Sequence, residues 1–395
     1  MWYVVEGALR GEGSRDVARR FGIVALVSFL TLVDLFGSQA LLPQIIDAYA
    51  TEPGLAGIAV NAATLGMAIA GLTVAWFADR IDRKRGIWIC LALLSIPTTL
   101  LAFTDSIWIF LGLRVLQGMF MAAAFTLTMT YLSEQCDIMA VGGAMAAYIT
   151  GNVASNLFGR LLAVSASDLF GLSGSFLVFA GLNLIGAALA FALIGPRDTE
   201  PPVRKGSPLE AWRTHWADPA LRAAFAIGFL ILFVFVGVFT YVNLHLVDML
   251  GVPAGYLGLV YLVFIPALFT TPSAGGVAKR LGPRRALIMA LAIGLVSTLL
   301  TLFPSLPLIL AALAVIGAAM FFAQAAATGF VSQRVTRDQA AANGLYLTSY
   351  YSGGLVGAFV LGQVQAIAGW TGVVIGLSVA LGLSLLVARR LSLDD

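Results

Sequence analysis

The sequence predicts an all-α integral membrane protein with twelve transmembrane helices in two pseudo-symmetric six-helix bundles. Three observations support this fold class. Sixty per cent of the residues are apolar and only 11% are charged, hydropathy divides the chain into twelve apolar runs, and a basic hairpin occurs once in each half. This composition excludes a water-soluble globule, because soluble domains carry about a quarter of their residues as charges.

Each apolar run is long enough to cross a bilayer, whose hydrocarbon core of about 30 Å takes roughly 20 helical residues. The predicted spans are residues 21–43, 55–77, 86–104, 107–132, 141–165, 171–194, 221–247, 254–277, 285–303, 306–331, 341–366 and 370–388. The predicted domains are a cytoplasmic tail (1–20), a first bundle (21–194), a cytoplasmic linker (195–220), a second bundle (221–390) and a cytoplasmic tail (391–395).

Two polar hairpins organise the chain. Residues 71–86 (GLTVAWFADRIDRKRG) and 275–286 (GGVAKRLGPRRA) each separate two apolar runs by a dense group of charges. A loop this short and basic is typical of a tight cytoplasmic turn between membrane helices. At a constant offset of 200, the matching positions are Ala78, Arg80, Ile81 and Arg85 with Ala278, Arg280, Leu281 and Arg285.

The fifth and eleventh spans are also copies of each other, which indicates two parallel six-helix halves. Within the fifth span, small residues at Gly151, Ser155 and Gly159 favour a close approach of a neighbouring helix. The positions that match at a constant offset of 198 are Tyr148, Thr150, Leu157 and Gly159 with Tyr346, Thr348, Leu355 and Gly357.

The basic residues predict the topology. Apart from Arg114 and Arg160, all of the 23 Lys and Arg residues fall in tails, linker or turns on one side of the predicted bundle. This positive-inside pattern predicts a multi-pass protein of the inner (cytoplasmic) membrane with both termini in the cytoplasm, surrounded by lipid. Nucleic acid is not an expected partner, because the charge is distributed loop by loop and not gathered on one surface.

Asp34 and Arg114 are the candidate proton-coupling residues. Asp34 is the acid placed well inside the hydrocarbon, where a carboxylate is expensive and marks a functional site by default. Desolvation favours its protonated form, whereas a nearby Arg114 favours the charged form. The alternatives are a structural pair for Asp34 and a hydrogen-bond hub for Arg114. The proton gradient is the expected energy source, and no cofactor or metal site is expected.

A second set of polar and aromatic residues in the spans is predicted to line a substrate cavity. Asn152 and Asn156 are equally consistent with a polar helix seam, and His245 with a relay or an interfacial cap. His215 is predicted to be an exposed linker histidine, beside a short surface helix at 209–216. The predicted lining comprises Asp34, Gln117, Asn152, Asn156, Tyr241, Asn243, Gln324, Tyr346 and Tyr350.

With these motifs the chain resembles the major facilitator superfamily, in its twelve-helix drug:proton antiporter, arabinose-efflux-like branch. Arg114, Gln117 and Gly118 resemble the signature of the fourth helix. The chain departs from the pattern at Asp82, where the family usually has glycine, and in the fifth helix, which lacks the antiporters' Gly-Pro pair. The resemblance implies a monomer in which two bundles rock about a central site.

The resemblance also implies a cytoplasmic gate at the hairpins. Asp79 is expected to cap a facing helix, and Arg83 to pair with Glu134 after the fourth span. The predicted gate residues are Gly71, Asp79, Arg80, Arg83, Lys84, Glu134, Arg280, Gly282 and Arg284.

The function predicted from the sequence is secondary active transport, with proton-coupled export of small amphipathic or weakly polar organic compounds. An uptake symporter of the same fold is one alternative, and a non-transporting assembly factor or sensor is another. Enzymatic activity is not expected, since the sequence contains no nucleophile with a base in reach and no phosphate-binding glycine loop.

Overall fold

The computed structural model describes residues 14–77, 81–136, 138–194, 208–251, 260–335 and 337–392. Asp79 and Arg80 of the predicted gate lie outside the described residues, as does the side chain of Asn243. The described chain is almost wholly helical, as the composition predicts.

The first half begins with α1, which ends at Ala40, just before Pro43. Pro43 lies in the first turn of the short helix α2, because its ring is tolerated there and would disrupt a helix interior. The predicted first span is therefore two helices. The helices of this half are α1 (Ser14–Ala40), α2 (Leu42–Tyr49), α3 (Pro53–Phe77), α4 (Arg83–Leu101), α5 (Ile107–Gln135) and α6 (Ile138–Leu193).

The second half repeats this order. Its second crossing is irregular, since 3₁₀ turns at Tyr261–Phe264 and Thr271–Ser273 interrupt it. The helices are α7 (Pro208–Ala217), α8 (Pro219–Leu250), α9 (Ile265–Thr270), α10 (Ala274–Leu281), α11 (Pro283–Leu300), α12 (Leu306–Arg334) and α13 (Gln339–Ala388).

Two long helices each contain two membrane crossings. The described residues include 10 helical spans long and apolar enough to cross a bilayer, and two of these cover 53 and 50 residues. Each is bent at a glycine with positive φ, at Gly171 (φ 71°) and Gly369 (φ 60°), a conformation that disfavours other residues. The two glycines lie 198 residues apart, the offset that relates the fifth and eleventh spans. Twelve crossings result, and the predicted fold class is confirmed.

Glycines bring α1 and α6 into backbone contact. A β-carbon on Gly151 would lie 2.0 Å from the carbonyl oxygen of Ala25, and one on Gly159 would lie 2.5 Å from that of Val33. In the second half, a β-carbon on Gly357 would lie 2.7 Å from the carbonyl oxygen of Phe233. The same close approach therefore occurs in both bundles, because small residues let membrane helices pack closely.

The helix α7 packs on the second half. His215 is buried (7% exposed) and its Nε2 lies 3.2 Å from the carbonyl oxygen of Asp338. The prediction of an exposed histidine is therefore wrong, since α7 packs against the start of α13. Asp218 caps α8 through the N–H of Ala220 and accepts a hydrogen bond from Arg334 Nε at 3.0 Å. Partial burial of Asp218 raises its pKa, but these hydrogen bonds outweigh burial and lower it.

We expect Gly151→Ala to destabilise the protein by about 1–3 kcal/mol, the usual cost of overpacking a well-packed core. The added methyl group would overlap the backbone of α1, which cannot move without disturbing the first bundle. Thermal melting in detergent measures the effect. Gly181→Ala is the matched control, because open space surrounds that position. Equal melting temperatures for both variants would contradict the close packing.

Candidate transport site

Asp34 lies at the centre of a polar cluster inside the first half. Its side chain is completely buried, and its Oδ2 atom accepts hydrogen bonds from Thr98 Oγ1 at 3.3 Å, Gln117 Nε2 at 3.2 Å and Asn183 Nδ2 at 3.2 Å. These donors come from α4, α5 and the second leg of α6. Asp34 Oδ1 has no hydrogen-bond partner among the described residues. The two oxygens of one buried carboxyl group therefore have very different surroundings.

Arg114 joins this cluster through Gln117. Its Nη1 donates to Gln117 Oε1 at 2.7 Å, while Nε and Nη2 both donate to the carbonyl oxygen of Val60, at 3.1 and 2.9 Å. The guanidinium is completely buried. The structure thus brings together the two predicted proton-coupling residues, and it places Gln117 between them.

Thr98 and Asn183 complete the cluster, and sequence reasoning missed both. Asn183 Nδ2 and Gln117 Nε2 also donate to Thr98 Oγ1, at 3.1 and 2.7 Å. The only signal in the sequence is a polar residue in an otherwise apolar span. That signal does not say which way the side chain points.

The second half provides an internal comparison for the cluster. Corresponding residues of α5 and α12 differ by 199 in residue number, because Ser106 directly precedes α5 and Ser305 directly precedes α12. The difference is 198 between α6 and α13. It is 200 between α4 and α11, because the hairpins that precede these helices match at that offset. The offset between α1 and α8 is also 200, from their contacts with the two matching glycines. Asp34, Arg114, Gln117 and Asn183 then correspond to Val234, Leu313, Ile316 and Leu381, all fully buried.

Among the other predicted lining residues, Asn152, Gln324, Tyr346 and Tyr350 belong to α6, α12 and α13, which pack across the contact between the halves. Asn152 Oδ1, both amide atoms of Gln324 and the Tyr346 hydroxyl are buried and lack hydrogen-bond partners within the described chain. The rings of Tyr346 and Tyr350 stack 6.2 Å apart. Tyr241 donates its hydroxyl proton to the carbonyl oxygen of Ala358, which ties α8 to α13.

Arg160 forms a second buried polar group, towards the opposite end of α6 from the hairpins. Its Nε donates to Asn156 Oδ1 at 3.1 Å, and its Nη2 donates to Gln39 Oε1 at 2.7 Å. The guanidinium carbon lies 4.0 Å from the ring centroid of Tyr261, which belongs to the second half. The sequence alone left the role of Arg160 open. His245, also left open, stacks on Trp370 at 5.3 Å.

The first hairpin is fixed by its own side chains. Arg83 Nη2 and Nε donate to the two carboxylate oxygens of Glu134 at 3.0 and 3.2 Å, which is the pairing expected from the resemblance. Lys84 Nζ lies 5.4 Å above the ring of Phe191. Asp82, where the family usually has glycine, caps α4 by accepting from the N–H of Arg85 at 2.8 Å. The departure thus supplies a helix cap.

The second hairpin is built differently. Gly282 has a φ of 84° and precedes α11 without a side-chain cap. Arg280 and Arg284 are exposed beside it. The helix after the first hairpin therefore begins with a capping aspartate, and the helix after the second begins with a glycine that has a positive φ.

The two halves meet on the side that carries the hairpins, which we call the basic side. Ser133 Oγ donates to Ser332 Oγ at 3.0 Å, and Thr348 Oγ1 donates to the carbonyl oxygen of Ala68 at 3.1 Å. Gly71 of the predicted gate faces α13, where a β-carbon would lie 2.3 Å from Thr348 Oγ1. Gly275 lies against the backbone of the α6 start in the same way. Two helix seams therefore close the basic side.

These features together define a multi-pass membrane transporter. Two similar six-helix halves form hydrogen bonds to each other on the basic side, and buried, unsatisfied polar atoms lie on helices at the contact between the halves. The comparison with known proteins identifies the family. The model of the Major Facilitator Superfamily matches residues 24–358 and 255–395, and this chain belongs to that superfamily.

Relatives and solved structures agree with this family. The chain is 31% identical over 365 residues to the inner membrane transport protein YnfM of Escherichia coli K12, covering 91% of this chain and 87% of YnfM. It is 28% identical over 245 residues to the multidrug resistance protein MdtG of Serratia proteamaculans, covering 60% and 58%. The crystal structure of the transporter FucP in the outward conformation superposes with a TM-score of 0.78, at 17% identity, over 94% and 98% of the two chains.

We expect a disulfide between Ser133→Cys and Ser332→Cys to form readily and to stop transport, because it would hold the basic side closed. The two hydroxyl oxygens are already 3.0 Å apart. Oxidative cross-linking followed by transport in proteoliposomes measures both effects, in a background with Cys90→Ser and Cys136→Ser. Reduction should restore transport. A cross-linked protein that still transports would show that this contact need not open.

Proposed function

We propose that this transporter exports small amphipathic or weakly polar organic compounds in exchange for protons, by alternating access across the inner membrane with both termini in the cytoplasm. The observation that carries the proposal is the buried Asp34 carboxyl group, which has three donors on one oxygen and none on the other. The other features define how such a group would drive export.

The uneven surroundings of Asp34 suit a carboxyl group that gains and loses a proton. An ionised carboxylate needs donors on both oxygens when it is buried, since an unpaired charge in a low-dielectric interior is costly. A proton on Oδ1 removes that charge and leaves Oδ2 to accept from Thr98, Gln117 and Asn183. The arrangement therefore supports a proton-bearing Asp34 in this conformation.

Comparison with the second half indicates that Asp34 and Arg114 are present for function and not for folding. At the positions of Asp34, Arg114 and Gln117 it has aliphatic residues, and all three are fully buried. A bundle of this shape therefore folds without the cluster. Intramembrane charges that the fold does not require are expected to serve transport.

Coupling would pass through α5 and α1. Loss of the proton leaves a negative Asp34 that attracts Arg114, and Arg114 now reaches it only through Gln117. A shift of the guanidinium towards Asp34 would release the carbonyl of Val60 on α3. The far end of α5 carries Ser133, which contacts the second half. Deprotonation on one side of the membrane would thereby alter the contact that closes the basic side.

The substrate class is inferred from the side chains at the contact between the halves. Gln324, Asn152 and Tyr346 offer polar atoms without partners among the described residues, and the tyrosine rings offer apolar surface. This mixture suits an amphipathic organic molecule. The similarity to MdtG, whose name describes a multidrug resistance protein, supports export as the direction of transport.

We expect purified wild-type protein in weakly buffered detergent to release protons when an amphipathic substrate binds, and Asp34→Asn to release none. Asparagine keeps the size of the side chain but cannot carry the exchanged proton. A pH electrode or indicator dye measures the release over a panel of candidate compounds. Asp168→Asn is the matched control, because it removes an exposed carboxylate near the bend of α6.

Two results would contradict this proposal. Full proton release by Asp34→Asn would exclude Asp34 as the carrier. In proteoliposomes of known orientation, an imposed pH gradient drives protons inward. Accumulation of substrate on the alkaline side, in the same direction as the protons, would indicate uptake by symport and overturn export.

A further inference from the structure

Arg160 is a buried cation without a carboxylate partner. Its side chain is 8% exposed, and the bonds found for it go to neutral amide oxygens of Gln39 and Asn156. In the described part of the chain, by contrast, Arg83 pairs with the carboxylate of Glu134 and Arg334 with that of Asp218. A guanidinium stays charged at any physiological pH, so a buried one without a counterion carries an unpaid desolvation cost.

The bonds to Asn156 and Gln39 leave one edge of the guanidinium open. Nε and Nη2 donate along one edge of the planar group, while Nη1 has no partner among the described residues. The free N–H of Nη1 and the second N–H of Nη2 point in parallel along the other edge. This fork has the geometry that binds a carboxylate through two parallel hydrogen bonds.

A second unused donor lies beside the first. Asn156 is completely buried, its Oδ1 accepts from Arg160, and its Nδ2 has no partner within the described residues. The amide therefore holds Arg160 with one atom and offers an N–H with the other. A buried donor without an acceptor is costly and rare in a native protein, so its presence next to an unneutralised cation indicates a missing acceptor.

Two aromatic rings lie near the same guanidinium. Tyr261 of the second half lies 4.0 Å from the guanidinium carbon, and Phe36 of α1 lies 6.0 Å from it. These rings provide apolar surface next to the cation. A ligand at this place would touch both halves, because Arg160 and Tyr261 belong to different bundles.

We propose that Arg160 and Asn156 bind the anionic group, a carboxylate or sulfonate, of an amphipathic organic acid whose apolar body lies against Tyr261 and Phe36. The inference rests on the proposed transport function and narrows its substrate from amphipathic compounds in general to organic anions. Arg160 supplies charge and a forked pair of donors, Asn156 supplies a third donor, and Gln39 fixes the orientation of the guanidinium.

The test compares carboxylates with their neutral amides. Benzoate, 1-naphthoate and dodecanoate, each paired with the corresponding amide, are titrated into the purified full-length protein at constant ionic strength. We expect at least one carboxylate to bind about tenfold more tightly than its amide, the effect of one charge-assisted hydrogen bond. Equal or weaker binding of all three carboxylates would overturn the proposal.

Two variants test whether the preference for carboxylates over amides arises at Arg160 and Asn156. Asn156→Asp should abolish it without unfolding the protein, because the new carboxylate would itself occupy the open donors of Arg160. Arg160→Gln should also reduce the ratio of the two affinities to near one. Arg222→Gln, which removes an exposed arginine at the start of α8, should leave the ratio unchanged. A preference that survives Asn156→Asp would place the anion elsewhere and overturn the assignment.

Proton release separates this inference from the proposed function. Carboxylate preference without Asp34-dependent proton release would support the anion site and count against proton exchange. Asp34-dependent proton release with amides and carboxylates alike would support proton exchange and overturn the anion site.

Discussion

The absence of water from the hydrocarbon core is the constraint on which this structure depends. Each polar group inside the membrane must find its partner in the protein. Arg114 meets this requirement with the carbonyl of Val60 and the amide of Gln117, and hydroxyls such as that of Thr31 donate a hydrogen bond to a carbonyl of their own helix. The few groups that remain unsatisfied are therefore informative, since an ordinary membrane helix has no reason to bury them.

Backbone symmetry and side-chain chemistry follow different rules in the two halves. The bends at Gly171 and Gly369 and the glycine seams of α6 and α13 repeat, because helix packing depends on backbone shape. The charges do not repeat: the core of the second half contains a group of phenylalanines around Phe235 and Phe264. The second bundle thus has an apolar core at these positions, while the first holds the buried ionisable groups of Asp34 and Arg114.

The sequence predicted features that depend on length, charge distribution or motif. The twelve crossings follow from runs of about 20 apolar residues, and the family signature suggested that Arg83 pairs with Glu134. The spans gave no orientation, however, because a helix that is apolar all round has no pattern to show which side faces the core. The contact of Asn183 with Asp34 therefore could not be predicted. The same holds for the contact of Tyr261 with Arg160, which lies about a hundred residues earlier in the chain. The prediction that His215 is exposed was wrong for a related reason, because the packing of α7 on α13 depends on tertiary contacts that the sequence does not show.

The two unsatisfied charged groups of the first half are mechanically connected. Asp34 and Gln39 lie on α1, separated by about 7.5 Å at 1.5 Å per helical residue, and Gln39 holds Arg160. A movement of α1 that follows proton loss at Asp34 would also move the amide that orients the guanidinium. Because Arg160 stacks on Tyr261, the same movement would change the contact between the halves. Under the proposed mechanism, one helix would link proton binding, the orientation of the buried cation and the opening between the bundles, as exchange of a proton for a substrate requires.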